Sequence, residues 1–146
     1  MPTEFHTTHC VEETEQIGAL FAAKLAPNDG VLFKGDLGAG KTCFTRGIVR
    51  FLSHGADVTV TSPTFALMNE YRFDGEINAL YHFDLYRLTS SDDLYGIGFY
   101  DIINSGGVTV CEWSENVPQL QREFDRCYIV TITPIGDFDR EITVEQ

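Results

Sequence analysis

The residues from position 35 to position 42 read Gly35-Asp36-Leu37-Gly38-Ala39-Gly40-Lys41-Thr42 and fit the phosphate-binding pattern G-x-x-x-x-G-K-[ST] at every fixed position. Glycine lets the backbone curl so that several N–H groups point at phosphate oxygens, where side chains would block the approach. In this pattern Lys41 supplies a positive charge to the β- and γ-phosphates, and the hydroxyl of Thr42 binds Mg²⁺. We therefore predict that residues 35–42, together with Cys43 directly after them, bind ATP with Mg²⁺.

The segments on either side of this loop predict a strand before it and a helix after it. Residues 31–33 form a short apolar run that is typical of a buried strand. A helix is expected from Lys41 to about Leu52, and the dipole at its N-terminus favours bound phosphate. A strand, a loop and a helix in this order indicate a parallel crossover connection.

Later segments predict antiparallel additions to the sheet. Residues 65–73 and 77–85 flank the turn dipeptide Asp74-Gly75, and residues 128–133 and 141–144 are expected to close a second hairpin. Together with the crossover they predict an α/β fold of the P-loop NTPase type, in which helices pack on a mixed β-sheet and residues 1–146 form a single compact domain. The other predicted elements are a helix over 12–25 with Ile17, Leu20, Phe21 and Leu25 on one face, an extended segment at 58–61, a short helix starting near Ser90 or Ser91, a loop with helical fragments over 96–107, and a strand over 108–111.

The charge of the chain limits its direct partners. Acidic residues number 22 and basic residues 10, which gives a net charge of −12. Such a chain is repelled by bare nucleic acid and by anionic membranes, so any RNA in its biology is expected to be held by a partner protein. An excess of acid that only keeps the protein soluble explains the charge equally well.

Compartment and redox state also follow from the sequence. No stretch is apolar for long enough to span a bilayer, and the first 15 residues contain four glutamates and no Lys or Arg, unlike a targeting signal. We expect a cytoplasmic protein without membrane contact. Its four cysteines form no C-x-x-C pair, which favours reduced thiols over a zinc or redox motif.

Two acidic residues follow apolar strands and are candidates for the metal and for catalysis. Asp84 follows residues 80–83, and Glu112 follows residues 108–111. Because Mg²⁺ prefers oxygen ligands and P-loop enzymes commonly use an acid at a strand end, we assign Asp84 to the metal shell through water. Glu112 is expected to orient or deprotonate the attacking water and to share in the metal shell, and the two roles could be exchanged. Lys41 and Glu112 are the predicted catalytic residues.

Four motifs, spread in order over nearly the whole chain, resemble those of the TsaE (YjeE) family of bacterial ATPases, which is required for threonylcarbamoyladenosine modification of tRNA. The first motif is common to many ATPases, whereas the later three are far more specific. The motifs are residues 35–42, then Thr61-Ser62-Pro63-Thr64-Phe65, then His82-Phe83-Asp84-Leu85-Tyr86-Arg87-Leu88, then Glu112-Trp113.

The resemblance implies roles beyond those read from the residues alone. Thr64 corresponds to a switch-type threonine that senses the γ-phosphate or Mg²⁺, and Asp84 and Glu112 occupy the metal and catalytic acid positions of the family. The resemblance also implies two partner proteins, TsaB and TsaD, of which TsaD performs the transfer chemistry on tRNA. On this interpretation the ATP cycle of the small protein resets that complex, and tRNA is met only through the partners.

Several alternatives stay open. A nucleotide switch that does not hydrolyse ATP competes with the ATPase, and a small-molecule kinase is disfavoured because the seven arginines do not cluster. Arg87 could face the γ-phosphate, a partner or only a surface acid. Trp113 could lie at the nucleotide site, at an interface or in the core. His82 is interpreted as a core or sheet-surface histidine rather than as a catalytic base.

Overall fold

The computed structural model describes residues 3–35, 40–63, 68–88, 90 and 92–146. Within these residues a mixed seven-stranded sheet has the strand order β1-β7-β6-β2-β5-β4-β3. The predicted α/β fold is confirmed. The elements are β1 (Glu4–Thr8), α1 (Val11–Ala22), β2 (Gly30–Lys34), α2 (Lys41–Leu52), β3 (Met68–Arg72), β4 (Ala79–Asp84), α3 (Asp92–Gly96), α4 (Phe99–Ile102), β5 (Val108–Glu112), 3₁₀ turns at Ser114–Asn116 and Pro118–Glu123, β6 (Cys127–Pro134) and β7 (Arg140–Glu145).

The middle of the sheet is parallel and its edges are antiparallel. Strand β2 lies between β5 and β6 and runs parallel to both, and β4 runs parallel to β5. Strands β3 and β4 form one predicted hairpin, and β6 and β7 form the other. The central strands are covered on both faces, which explains why they read as continuous apolar runs in the sequence.

Helices cover the two faces of the sheet. On one face α1 and α2 pack on a core that includes Val31, Phe33, Leu80 and Val110. On the other face α3, α4 and the second 3₁₀ turn cover Leu32, Tyr81, Phe83 and Cys111. Because successive strand residues point to opposite faces, even-numbered residues of β4 and β5 face α2. That parity places His82, Asp84 and Glu112 on the same face as the helix that begins at Lys41.

Helix α1 differs from its prediction in the face that it buries. Its buried residues are Thr14, Gly18, Phe21 and Ala22, whereas Leu20 is 66% exposed. A Cβ at Gly18 would lie 2.2 Å from the carbonyl oxygen of Phe44 in α2, so the two helices touch backbone to backbone. Small residues therefore form the contact face, and the larger side chain of Leu20 is displaced to the surface.

Two further segments complete the description of the sheet and its surroundings. The N-terminal strand β1, for which no prediction was made, pairs antiparallel with β7 at the edge of the sheet. Residues 58–61 join no strand, although Val60 is buried. Helices α1 and α2 have 12 residues each, and no helix among the described residues is long and apolar enough to cross a membrane.

Candidate nucleotide site

The site is formed where three neighbouring parallel strands end at one edge of the sheet. Gly35 follows β2, Glu112 ends β5 and Asp84 ends β4, with β5 between the other two. Asp84 and Glu112 are direct cross-strand partners in the β4–β5 register. The carboxyl edge of a parallel sheet is where α/β proteins bind their ligands. The two predicted acids and the start of the predicted phosphate loop therefore share the functional edge.

Glycines at both ends of the loop have backbone angles that other residues rarely adopt. Gly35 has φ = 144° and Gly40 has φ = 108°, and Gly40 caps the N-terminus of α2. Among the described residues, a Cβ at Gly40 would meet methyl groups of Thr14 and Ile132 at the ordinary distances of 3.7 and 3.8 Å, whereas the backbone angle itself favours glycine. The predicted binding residues Asp36, Leu37, Gly38 and Ala39 lie outside the described residues.

Lys41 begins α2, and its ammonium group lies among three partners at this edge. Its side chain is only 6% exposed. Nζ donates a hydrogen bond to the carbonyl oxygen of Gly35 at 3.0 Å and lies 3.4 Å from Oε1 of Glu112. It also lies 5.6 Å from the centre of the Trp113 ring, within cation–π range. The predicted pair of Lys41 and Glu112 is thus in direct contact.

Glu112 is held from two sides by its two carboxylate oxygens. Oε1 faces Lys41, and Oε2 lies 2.5 Å from Nε2 of the fully buried His82. Burial raises the pKa of the Glu112 carboxyl, but the hydrogen bond and attraction from His82, together with Lys41, outweigh burial and hold the pKa below its ordinary value. The carboxylate is therefore ionised at neutral pH, as a group that orients or deprotonates water must be.

Asp84 is half-buried, and its carboxylate binds the backbone of the turn that follows it. Its Oδ1 accepts a hydrogen bond from the backbone N–H of Tyr86 at 2.9 Å. Among the described residues, no group of three or more His, Cys, Asp and Glu side chains lies together as a metal cluster. The predicted metal set of Thr42, Asp84 and Glu112 nevertheless offers a hydroxyl and two carboxylates. Such hard oxygen donors suit Mg²⁺, which keeps several waters of its own.

Trp113 has an unusual backbone conformation directly after Glu112. Its φ of 61° and ψ of 35° lie in the left-handed region, which bulky residues rarely adopt. Its ring packs against that of Tyr86, and the two ring centroids are 5.0 Å apart. Tyr86 lies two residues after Asp84, where β4 ends. Of the sequence alternatives, the structure favours a position at the site, where the indole ring lies beside Lys41.

A small cavity is lined by Gly40 and Cys43 at the start of α2. Its volume is about 160 Å³, and Cys10 of the β1–α1 connection and Phe138 of the β6–β7 loop also line it. Cys43 is half-buried, with its Sγ 4.0 Å from a guanidinium nitrogen of Arg46. Sequence analysis did not find this cavity, because its walls come from three distant parts of the chain.

Comparisons with known proteins identify the family of this chain. The family model of the threonylcarbamoyl adenosine biosynthesis protein TsaE matches residues 8–142. This chain belongs to the TsaE family. The predicted family resemblance is therefore confirmed.

Relatives in the TsaE family are found in several bacteria. The TsaE protein of Rickettsia conorii is 43% identical over 79% of this chain, and the match spans 63% of that relative's length. The TsaE protein of Treponema pallidum is 38% identical over 91% of this chain and 93% of the relative. Their printed description is tRNA threonylcarbamoyladenosine biosynthesis protein TsaE. The crystal structure of YdiB from Bacillus subtilis superposes with a TM-score of 0.72 at 34% identity, covering 98% of this chain and 84% of YdiB.

The structure thus brings together some of the residues predicted for a TsaE-type site, whereas others lie outside the described residues. Lys41 and Glu112 touch, and Asp84 lies beside Glu112 in the sheet. Thr64, predicted as the switch threonine, lies outside the described residues. The contact of His82 with Glu112 was missed, although alternation along β4 already placed His82 on the face of Asp84.

Proposed function

We propose that this TsaE-family chain binds Mg·ATP at residues 35–42 and hydrolyses it as an accessory protein of the tRNA threonylcarbamoyladenosine modification complex. The observation that carries the proposal is the contact between Lys41 and Glu112 at the carboxyl edge of the sheet. It joins the cation of a phosphate loop to an ionised acid at the end of the adjacent strand. P-loop enzymes that split ATP need both groups at this place.

The side chains suggest how hydrolysis proceeds. When ATP binds, the ammonium group of Lys41 leaves Glu112 and pairs with the β- and γ-phosphate oxygens, because the phosphates carry more negative charge than one carboxylate. That exchange frees Oε1 of Glu112 to orient a water molecule and to accept its proton. Thr42 and Asp84, with a share from Glu112, would hold Mg²⁺, and the bound ion would neutralise charge on the phosphates.

The cavity beside Gly40 is a suitable place for the nucleobase. Adenine is a flat ring, and Phe138 offers an aromatic face at the cavity rim, where its side chain is 76% exposed. Cys43 lines the wall next to the phosphate loop. This gives Cys43, predicted as a cofactor-binding residue, a contact with the base or ribose rather than with phosphate.

The partners follow from the family and from the charge. A chain of net charge −12 has little electrostatic attraction for tRNA. We therefore infer that TsaB and TsaD type proteins in the cytoplasm hold the tRNA and that the ATP cycle of this chain drives turnover of the transferase partner.

A nucleotide switch without useful hydrolysis is the second candidate. It is favoured by one observation: both carboxylate oxygens of Glu112 are engaged, by Lys41 and by His82. A Glu112 that only pairs with Lys41 would regulate nucleotide entry rather than activate water. Replacing each residue in cells separates the two, because a switch tolerates Glu112→Ala but not Lys41→Ala.

The test of the proposal is the ATP hydrolysis rate of the purified protein, alone and with the TsaB and TsaD partners. Lys41→Ala is the negative control, and Lys34→Ala, an exposed lysine in β2, is the matched control. A rate that rises with partners and is lost only in Lys41→Ala supports the accessory ATPase. Tight nucleotide binding with no such rise supports the switch.

A further inference from the structure

His82 is a fully buried histidine whose ring carries, within the part of the chain that the structure describes, one nitrogen with a hydrogen-bond partner and one without. Its side chain is 0% exposed in the middle of β4. Among the described residues its ring makes one polar contact, from Nε2 to Glu112, and Nδ1 is buried without a hydrogen-bond partner. A buried polar atom without a partner costs free energy, and the hydrogen bond between Nε2 and the buried Glu112 carboxylate offsets that cost. The polar role of this imidazole is therefore the contact of Nε2 with Glu112.

The contact with His82 is fixed by the sheet, whereas the contact with Lys41 is not. Asp84 is the register partner of Glu112, so His82 lies two residues back on the adjacent strand and on the same face. Both residues lie within strands, whose backbones are hydrogen-bonded to each other. Lys41, by contrast, reaches Glu112 through a long side chain that a bound phosphate would attract away.

The two carboxylate oxygens of Glu112 thus have different surroundings. Oε2 receives the hydrogen bond of His82, because Nε2 carries a proton in the imidazolium and in one neutral tautomer. Oε1 points to Lys41 on the phosphate side. We propose that His82 is a positioning residue that holds Oε2 of Glu112 and so presents Oε1 to the reacting water, both before and after nucleotide binds. This inference rests on the proposed hydrolysis of ATP.

Removal of this hydrogen bond is expected to slow the chemical step without weakening nucleotide binding. In His82→Leu the Glu112 side chain can rotate, and kcat should fall about 10- to 100-fold, as for other residues that orient a reacting group. KM for ATP and Kd for ADP should change less than about twofold, because among the described residues the one polar contact of the His82 ring is with Glu112 and not with Lys41. His82→Gln, whose amide nitrogen can donate to the same oxygen, should recover most of the loss. His54→Leu, which removes an exposed histidine, should have no effect.

Nuclear magnetic resonance tests the hydrogen bond without any turnover. The chain has four histidines, and His6, His9 and His54 are all at least partly exposed, so only the ring N–H of His82 is shielded from water. Its Nε2–H signal should be shifted downfield, exchange slowly, and vanish or shift in Glu112→Ala. It should persist when Mg·ADP is added at saturation.

The outcomes separate this inference from the proposed function. A wild-type rate no higher than that of Lys41→Ala would reject hydrolysis, while the His82 signal would still decide the hydrogen bond. Loss of the signal on adding Mg·ADP, or a wild-type kcat in a folded His82→Leu, would overturn the positioning role. A thermal unfolding curve of each variant shows whether it is folded, and His82→Gln provides a second variant if His82→Leu is not.

Discussion

Glu112 brings a negative charge into a position where only 5% of the residue surface is exposed. An unpaired carboxylate would be strongly disfavoured there, and the group would take up a proton instead. His82 and Lys41 prevent this, because each offers a proton donor to a different oxygen. A single acid at the end of β5 can therefore remain ionised next to the site where the phosphates are expected.

The ionisation of Glu112 predicts how stability changes with acidity. Although burial raises it, the pKa of its carboxyl in the folded protein is lowered overall from its ordinary value by His82 and Lys41, so the native state favours the charged form more than the unfolded chain does. This stabilisation is fully present above the unfolded pKa and is lost as the pH falls through the folded pKa. Between pH 6 and pH 3, the free energy of unfolding of the wild type should therefore fall more than that of Glu112→Gln in urea titrations. Parallel decreases in the two proteins would contradict the coupling.

Thiol chemistry tests the position of Cys43 relative to the nucleotide. Cys10 is exposed and Cys43 half-buried, whereas Cys111 and Cys127 are buried. Burial raises the pKa of the Cys127 thiol to about 12 and that of Cys111 well above its ordinary value, so neither forms much thiolate. In Cys10→Ser, a thiol reagent at pH 8 should therefore modify Cys43 alone.

ATP with Mg²⁺ should slow that modification at least tenfold if the base lies in the cavity beside Gly40. The same measurement in Lys41→Ala is the control, since this variant should lose both binding and protection. Equal rates of modification with and without nucleotide would place the base elsewhere.

At the scale of elements, the crossing of α1 and α2 supports the helix that starts at the site. Gly18 and Gly47 lie at this crossing, where each faces a backbone carbonyl of the other helix. The approach is closer than any larger residue permits. The close contact with α1 therefore helps to fix the position of helix α2, which begins at Lys41.

Gly47→Ala should destabilise the protein. The new Cβ would lie 2.0 Å from the carbonyl oxygen of Glu15, so the helices must move apart at a cost of about 1–3 kcal/mol. Gly96→Ala is the matched control, because its Cβ would meet no atom of the described residues within 4 Å. Urea unfolding measures both, and a similar midpoint for the two variants would mean that the crossing is not tightly packed.

The elements that the sequence predicts well are those that depend on local patterns. The bounds of α2 and the two hairpins follow from apolar periodicity and turn residues, and they are confirmed. Strand β1 was missed because it is a short edge strand in which Phe5 is 71% exposed, so its alternation gives no apolar face. The contact of His82 with Glu112 was missed because it depends on the register of two strands about 30 residues apart.

The charge of the whole molecule restricts what it can bind directly. Three lysines and seven arginines are spread over 146 residues, and several arginines pair with acids, as Arg126 does with Asp29. Arg46 and Arg50 both bind Glu15 across the two helices. Much of the positive charge is thus neutralised within the fold.

The isolated protein should therefore not bind tRNA at physiological ionic strength. Each phosphate contact needs a free cation, and affinity that depends on such contacts falls steeply with salt. Filter binding of labelled tRNA, with the TsaB and TsaD proteins as the positive sample, measures this. Saturable binding by the isolated chain with a steep salt dependence would contradict the indirect role.

The most direct measurement is to determine ATP binding and single-turnover hydrolysis side by side in Lys41→Ala, Glu112→Gln and the wild type, with Glu115→Gln as the control for an exposed acid. If Lys41 holds the phosphates and Glu112 activates water, Lys41→Ala should lose binding at least tenfold. Glu112→Gln should bind ATP as tightly as the wild type or more tightly, because it removes the carboxylate that competes with the phosphates for Lys41. It should nevertheless hydrolyse ATP at least a hundredfold more slowly. Wild-type hydrolysis in Glu112→Gln, or wild-type binding in Lys41→Ala, would contradict the assignment of this edge of the sheet as the site of ATP hydrolysis.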